Sequence, residues 1–278
     1  MNVASGEEIQ KGWLFEVWRW LLLPLAKLFW GFDVYGKDNL PTKDNPAIFV
    51  AHHTAHSGDI HLGLLMLCEL TGQVVRGLIH RVVIVLFPIY RLLGSVPGTR
   101  DTAIQLLRNG ESVALIPGGA EELCLGHENA YTVVWTSSSG RKRCGFAHVA
   151  EAAGAPVIPI AGRNTEEMFF CWPAYLWNRW GWTRRYNDYC MRSDGLWGWI
   201  LVQIRIYMSF WIHLIAIPIP VRVGFYVGNP LRRRSDETIE QFAQRCQEEL
   251  QSLLLQANGR KEKRVLQALK ERFYPKQA

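Results

Sequence analysis

At 278 residues the chain is long enough for one large domain with a substantial buried core, and no shift in composition divides it in two. Its hydrophobic content of 49% is ordinary, yet it holds twelve Trp, gathered in residues 13 to 30 and 172 to 211, where rings beside apolar runs point to a membrane surface or an aromatic core. The net charge of +6 suits an anionic surface, the aromatic placement favours lipid over nucleic acid, and six cysteines without paired spacing argue against a disulfide framework or a zinc knuckle.

Met1 to Gln10 is polar and includes two Glu, unlike the basic and then apolar start of a secretory signal, so attachment to a membrane is expected to reside in the retained chain, with the body facing the cytosol. Trp13 to Trp30 is nearly all apolar but carries Glu16, Arg19, Lys27 and Pro24. It reads as a helix kinked or broken near Pro24 that lies in one leaflet, with packing on the protein's own core as the alternative. Ala47 to Ala51 is a buried strand, and helical spacing follows through Leu62, Leu65, Met66 and Leu70. Val82 to Leu86 fits strand or helix. Asp101 to Asn109 reads as a helix capped by Asp101 and closed by Gly110, Ser112 to Ile116 as a strand entering Pro117-Gly118-Gly119, Phe146 to Ala153 as a helix, and Val157 to Ile160 as a strand. Leu196 to Pro220 contains Gln203, Arg205 and His213, which favours a surface-immersed or buried segment over a span. Val221 to Val227 alternates as a strand, Glu237 to Leu255 has helical spacing, and the tail from Gly259 is basic, as a solvated face or an anionic-lipid contact would be. Short buried strands alternating with helices give an α/β sheet flanked by helices.

Ala51 to His61 places four histidines and Asp59 directly after a buried strand, where open α/β sheets gather chemistry. An imidazole there can take the proton of an attacking hydroxyl, and a carboxylate on its other nitrogen fixes the tautomer. His53, His56 and Asp59 are also spaced to share a helical face and hold a metal, although the Ser57-Gly58 pair reads as a helix start, and the bland alternative is a set of surface or capping histidines.

Together with the later motifs this cluster resembles the glycerolipid acyltransferase superfamily. That family separates a histidine and an aspartate by four residues. Here His53 and Asp59 are separated by five, as in the branch typified by transmembrane protein 68, and the rest resembles the diacylglycerol acyltransferase-like branch. The family's glycine and arginine six apart appear as Gly94 and Arg100. Its Phe-Pro-Glu-Gly-Thr-Arg motif becomes Ile116-Pro117-Gly118-Gly119-Ala120-Glu121-Glu122, and its proline-bracketed apolar pair is Pro156 to Pro159. Replacing Thr-Arg by Ala120-Glu121 removes a phosphate-binding cation and adds a like charge, so the acceptor is expected to lack phosphate.

The resemblance implies an acyltransferase domain over 33–257, a membrane-contacting segment over 1–32 and a basic tail over 258–278. It implies His53 as general base, Asp59 as its orienting partner, and Arg100, Gly118, Gly119 and Glu122 in the substrate pocket. Acyl-CoA is the implied co-substrate and a membrane lipid alcohol the acceptor, with no resident cofactor or metal, at the endoplasmic reticulum if the cell is eukaryotic. Three alternatives stay open: a phosphate-bearing acceptor held by Arg163, Arg184 or Arg185, a non-catalytic lipid-binding protein, and a metal-dependent hydrolase.

Overall fold

The computed structural model describes residue 9 and residues 12–273, apart from 43–44, 57, 120–121, 124–129, 138–139, 193–195, 199, 202, 205–206 and 209–215. Residues 13–30 form a helix (α1) in three parts: Trp13–Val17, a π-helical turn Trp18–Leu22, and Leu23–Trp30. The wider turn sits where Pro24 removes a hydrogen bond and crowds the preceding turn, so the helix absorbs the proline without breaking.

Strands β1 (Asp33–Tyr35) and β2 (Ile48–Ala51) lead to α2 (Gly58–Thr71), β3 (Arg76–Ile79), α3 (Arg81–Leu86), α4 (Ile89–Leu92), β4 (Val96–Pro97), α5 (Arg100–Arg108) and β5 (Val113–Leu115). Then follow α6 (Gly145–Ala153), β6 (Val157–Arg163), β7 (Phe169–Phe170), α7 (Trp172–Arg179), α8 (Trp182–Arg192), β8 (Ile217–Pro218), β9 (Gly224–Val227), α9 (Ile239–Asn258) and α10 (Val265–Phe273). Seven strands make one sheet in the order β1-β9-β6-β2-β5-β3-β4, parallel except where β6 meets β9; β7 and β8 form a separate antiparallel pair.

Alternation along the central strands divides the core. Ile48 and Val50 face one cluster, with Leu106 and Leu107 of α5, Phe146 of α6 and Phe242 and Leu250 of α9, while Ala47 and Phe49 face another with Trp18 and Leu23 of α1, Leu65 and Met66 of α2 and Ala268 of α10. This is the α/β sheet flanked by helices that the sequence predicts. Several details differ. Residues 82–86 are helical, with the His80 side chain accepting the N–H of Val82. Thr99, not Asp101, caps α5 by accepting the N–H of Thr102, and α9 starts with a full capping box between Thr238 and Gln241. The Trp-rich region forms α7, α8 and helical turns within 196–208, and the rest of that expected segment lies in part outside the described residues. No described helix is long and apolar enough to cross a membrane.

The basic stretch after Gly259, expected as a solvated tail, folds back on the body. Arg260 is buried, and its Nη2 donates to Asn164 Oδ1 at 2.7 Å and to Glu167 Oε1 at 3.3 Å, while Ala268 of α10 is fully enclosed. Its charges are matched by acids at the end of β6, a pairing that composition within the stretch itself does not reveal. Residues 274–278 lie outside the described set.

Candidate active site

The histidine loop, residues 52 to 56, leaves the C-terminal end of β2, the strand flanked by β5 and β6, and turns into α2 at Gly58. That is the crevice where parallel sheets bind ligands. A cavity of about 750 Å³ opens there, within the usual range of ligand sites, and His53, Asp59 and Gly119 line it together with His52, His56 and His61. Among the described residues that line it there is no Lys or Arg.

His53 Nδ1 lies 3.2 Å from the carbonyl oxygen of Thr54. A carbonyl only accepts, so Nδ1 carries the proton in that contact and Nε2 keeps the lone pair a general base needs. Asp59, in the first turn of α2, accepts the Thr54 hydroxyl at 2.5 Å and backbone N–H groups of that turn. The connection between His53 and Asp59 described by these bonds therefore runs through Thr54. Burial pushes the Asp59 carboxyl up to about 7, against the lowering effect of those donors.

His56 is committed elsewhere. Its Nδ1 accepts the N–H of Gly58 at 3.1 Å and its Nε2 donates to the Thr165 carbonyl at 2.7 Å, so neither nitrogen is left for the metal set considered with His53 and Asp59. His52 is buried, and enclosure, followed by the neighbouring His53, pushes it down to about 3, which keeps it neutral. His61 stacks on Tyr90 with Nε2 3.1 Å from the phenol oxygen. Cys144, His148 and Glu240 are, among the described residues, the group whose ligand atoms lie within 4.8 Å of one another, and none of them lines the cavity.

The glycine motif after β5 is divided. Gly119 lines the cavity, while Gly118, Glu122 and Arg100 do not. Glu122 is buried with Oε2 accepting the N–H of His53 at 3.0 Å and Oε1 that of Val134 at 2.8 Å, so it fixes the backbone beneath His53. Burial pushes its carboxyl up to about 8, opposed by those two amides and Arg143. Gly118 is required by space: a Cβ there would lie 2.4 Å from Glu122 Oε2. Arg100 is exposed at the start of α5. Ala120 and Glu121 lie outside the described residues. Of the arginines considered for phosphate, Arg163 pairs with Glu271 at 2.9 Å, Arg185 is exposed and outside the cavity, and the Arg184 side chain falls outside the described set.

Sequence reasoning passed over Thr54 and the acids Glu166 and Glu167. The acids follow a buried strand with no apolar residue between them and Asn164, a signal of the same kind that singled out the histidines. Glu167 accepts the Tyr131 hydroxyl and the N–H of Arg264, and Glu166 accepts the N–H of Ala55 at 3.3 Å.

Residues 31–163 match the family model described as Acyltransferase. The human protein named DGAT1/2-independent enzyme synthesizing storage lipids (Homo sapiens) is 27% identical over 258 residues, covering 90% of this chain and 68% of that one. The protein of the same name from Bos taurus is 26% identical over 260 residues, covering 91% and 67%. The crystal structure of the 1-acyl-sn-glycerophosphate acyltransferase PlsC from Thermotoga maritima aligns with a TM-score of 0.49 at 16% identity, covering 88% of this chain and 84% of that chain. Residues 31–163, with their histidine and aspartate at the end of a parallel strand, thus match the acyltransferase family model as a domain within this chain.

Proposed function

We propose that the protein is a membrane-associated O-acyltransferase that moves a long-chain acyl group from a thioester, acyl-CoA, to the hydroxyl of a neutral lipid such as diacylglycerol. The observation that carries this reading is the cavity itself, which joins His53 and Asp59 to apolar walls and has no Lys or Arg among its described lining residues. An acceptor bearing a phosphomonoester needs cationic or multiple N–H donors; an uncharged alcohol does not. The names of the relatives, enzymes synthesizing storage lipids, agree with such an acceptor.

In this mechanism His53 Nε2 takes the proton of the acceptor hydroxyl as its oxygen attacks the thioester carbonyl. The tetrahedral intermediate collapses with cleavage of the C–S bond, and the proton passes from His53 to the departing thiolate. Asp59, sharing the cavity, stabilises the imidazolium while it exists. Access from a bilayer is supported by α1. Phe15, Trp18 and Leu23 face the core while Trp13 (75%), Trp20 (69%) and Leu28 (76%) stand exposed on the other side, an apolar surface suited to one leaflet. Free Cys68, Cys144, Cys171 and Cys246 fit a cytosolic orientation, at the endoplasmic reticulum in a eukaryotic cell.

Purified protein in vesicles, given labelled acyl-CoA with either diacylglycerol or lysophosphatidic acid, tests the proposal. Transfer to diacylglycerol that is lost in His53→Ala is expected. Preferential transfer to lysophosphatidic acid would overturn the choice of acceptor, and full activity in His53→Ala would remove the base.

A further inference from the structure

The histidine loop has no strand or helix to satisfy its backbone, and buried N–H groups require acceptors. It finds two on carboxylates. Glu122 takes the N–H of His53, and Glu166, from the segment after β6, takes that of Ala55 at 3.3 Å. Glu166 is only 2% exposed, and its Oε1 lies 4.0 Å from His52 Nε2, an atom without a hydrogen-bond partner among the described residues. His52 is neutral, so it supplies no countercharge. The groups acting on Glu166 are Lys263, which favours its ionised form, and Asp59 and Glu167, which oppose it. Lys263, set between α9 and α10, donates from Nζ to the Phe169 carbonyl at 3.0 Å. It is held there by the flanking Arg260 and the N–H of Arg264, both bound to Glu167.

We propose that Glu166 is a positioning residue, holding the loop of His53 from behind through its acceptance of the Ala55 N–H. The inference rests on the acyl-transfer reading above and makes the segment after β6 part of the working site. Burial pushes Glu166 up to about 8 even with the cation of Lys263 and the Ala55 N–H working against that rise.

The test uses the full chain in vesicles. Glu166→Ala is expected to lower kcat at least about tenfold with KM unchanged, since the substrate contacts remain while the base is misplaced. Glu166→Gln, whose amide oxygen can still accept the N–H of Ala55, is expected to recover most of that loss. Exchange of the Ala55 amide is followed in parallel: protection falls in Glu166→Ala and persists in Glu166→Gln. Wild-type kcat in Glu166→Ala, or unchanged Ala55 protection in it, would each overturn the proposal. Because amide exchange needs no turnover, an absence of acyl transfer in the wild type defeats the functional reading separately, while Ala55 still decides the positioning.

Discussion

Substituting Gly118 by alanine places a methyl carbon 2.4 Å from Oε2, 2.5 Å from Cδ and 2.7 Å from Cβ of Glu122. Because the crowded atoms run the length of that side chain, a small rotation of its end does not relieve the contact, and Glu122 must move. It then gives up its bond to the His53 N–H at 3.0 Å, to the Val134 N–H at 2.8 Å, or both. Leaving a buried N–H without its acceptor costs about 1–3 kcal/mol, so the expected loss of stability is about 1–3 kcal/mol for one bond and up to about twice that for two. That is a large share of the roughly 5–15 kcal/mol that holds a domain folded. Transfer should fall further than stability, since displacing a catalytic group by about 1 Å can cost about a hundredfold. Urea unfolding in a fixed detergent and initial rates in vesicles measure the two effects. Combining Gly118→Ala with Glu122→Ala should be less damaging than the sum, because the new methyl then meets empty space. A Gly118→Ala variant with unchanged midpoint and rate, or strictly additive effects in the double variant, would refute the account of Glu122 as the anchor of His53.

Other expectations follow from the same geometry. Asp59→Asn keeps an acceptor for the Thr54 hydroxyl but removes the charge. The folded carboxyl stands at about 7 against an ordinary 3.8, so its contribution to stability is full below 3.8 and is lost as pH rises through 7; the variant should therefore be more stable than wild type in alkali, by a few kcal/mol at most, while transferring more slowly. Thermal melts and rates across neutrality check both signs, and a variant less stable than wild type at alkaline pH would contradict the assignment. Changing Leu21, Leu25 and Leu28 to lysine removes apolar groups worth about 1.5–3 kcal/mol each if buried, so vesicle partitioning should fall about tenfold or more per residue with the soluble fold intact, as flotation would record. His53→Ala should abolish transfer without altering flotation at all.

The division between local and tertiary information is visible at particular residues. Strands β2, β5 and β6 and helices α2, α6 and α9 were legible because each carries its own periodicity, and the cluster from His52 to His61 was legible because polar residues follow a buried strand directly. By contrast β1, β3 and β4 are short, and β3 begins with Arg76-Gly77, so no apolar pattern marks them; pairing with neighbours makes them strands. Arg76 is only 1% exposed, a burial made possible by Gly94 and Glu111, 18 and 35 positions away. Sequence alone thus determined the class of fold, the family motifs and the residues placed at the end of β2. Only the tertiary structure decided which carboxylate holds what. Glu122 and Glu166 reach the histidine loop from 69 and 111 positions away. The reason is physical: a helix or strand is selected by neighbours in the chain, whereas a buried charge is tolerated only where distant backbone donors and countercharges converge on it.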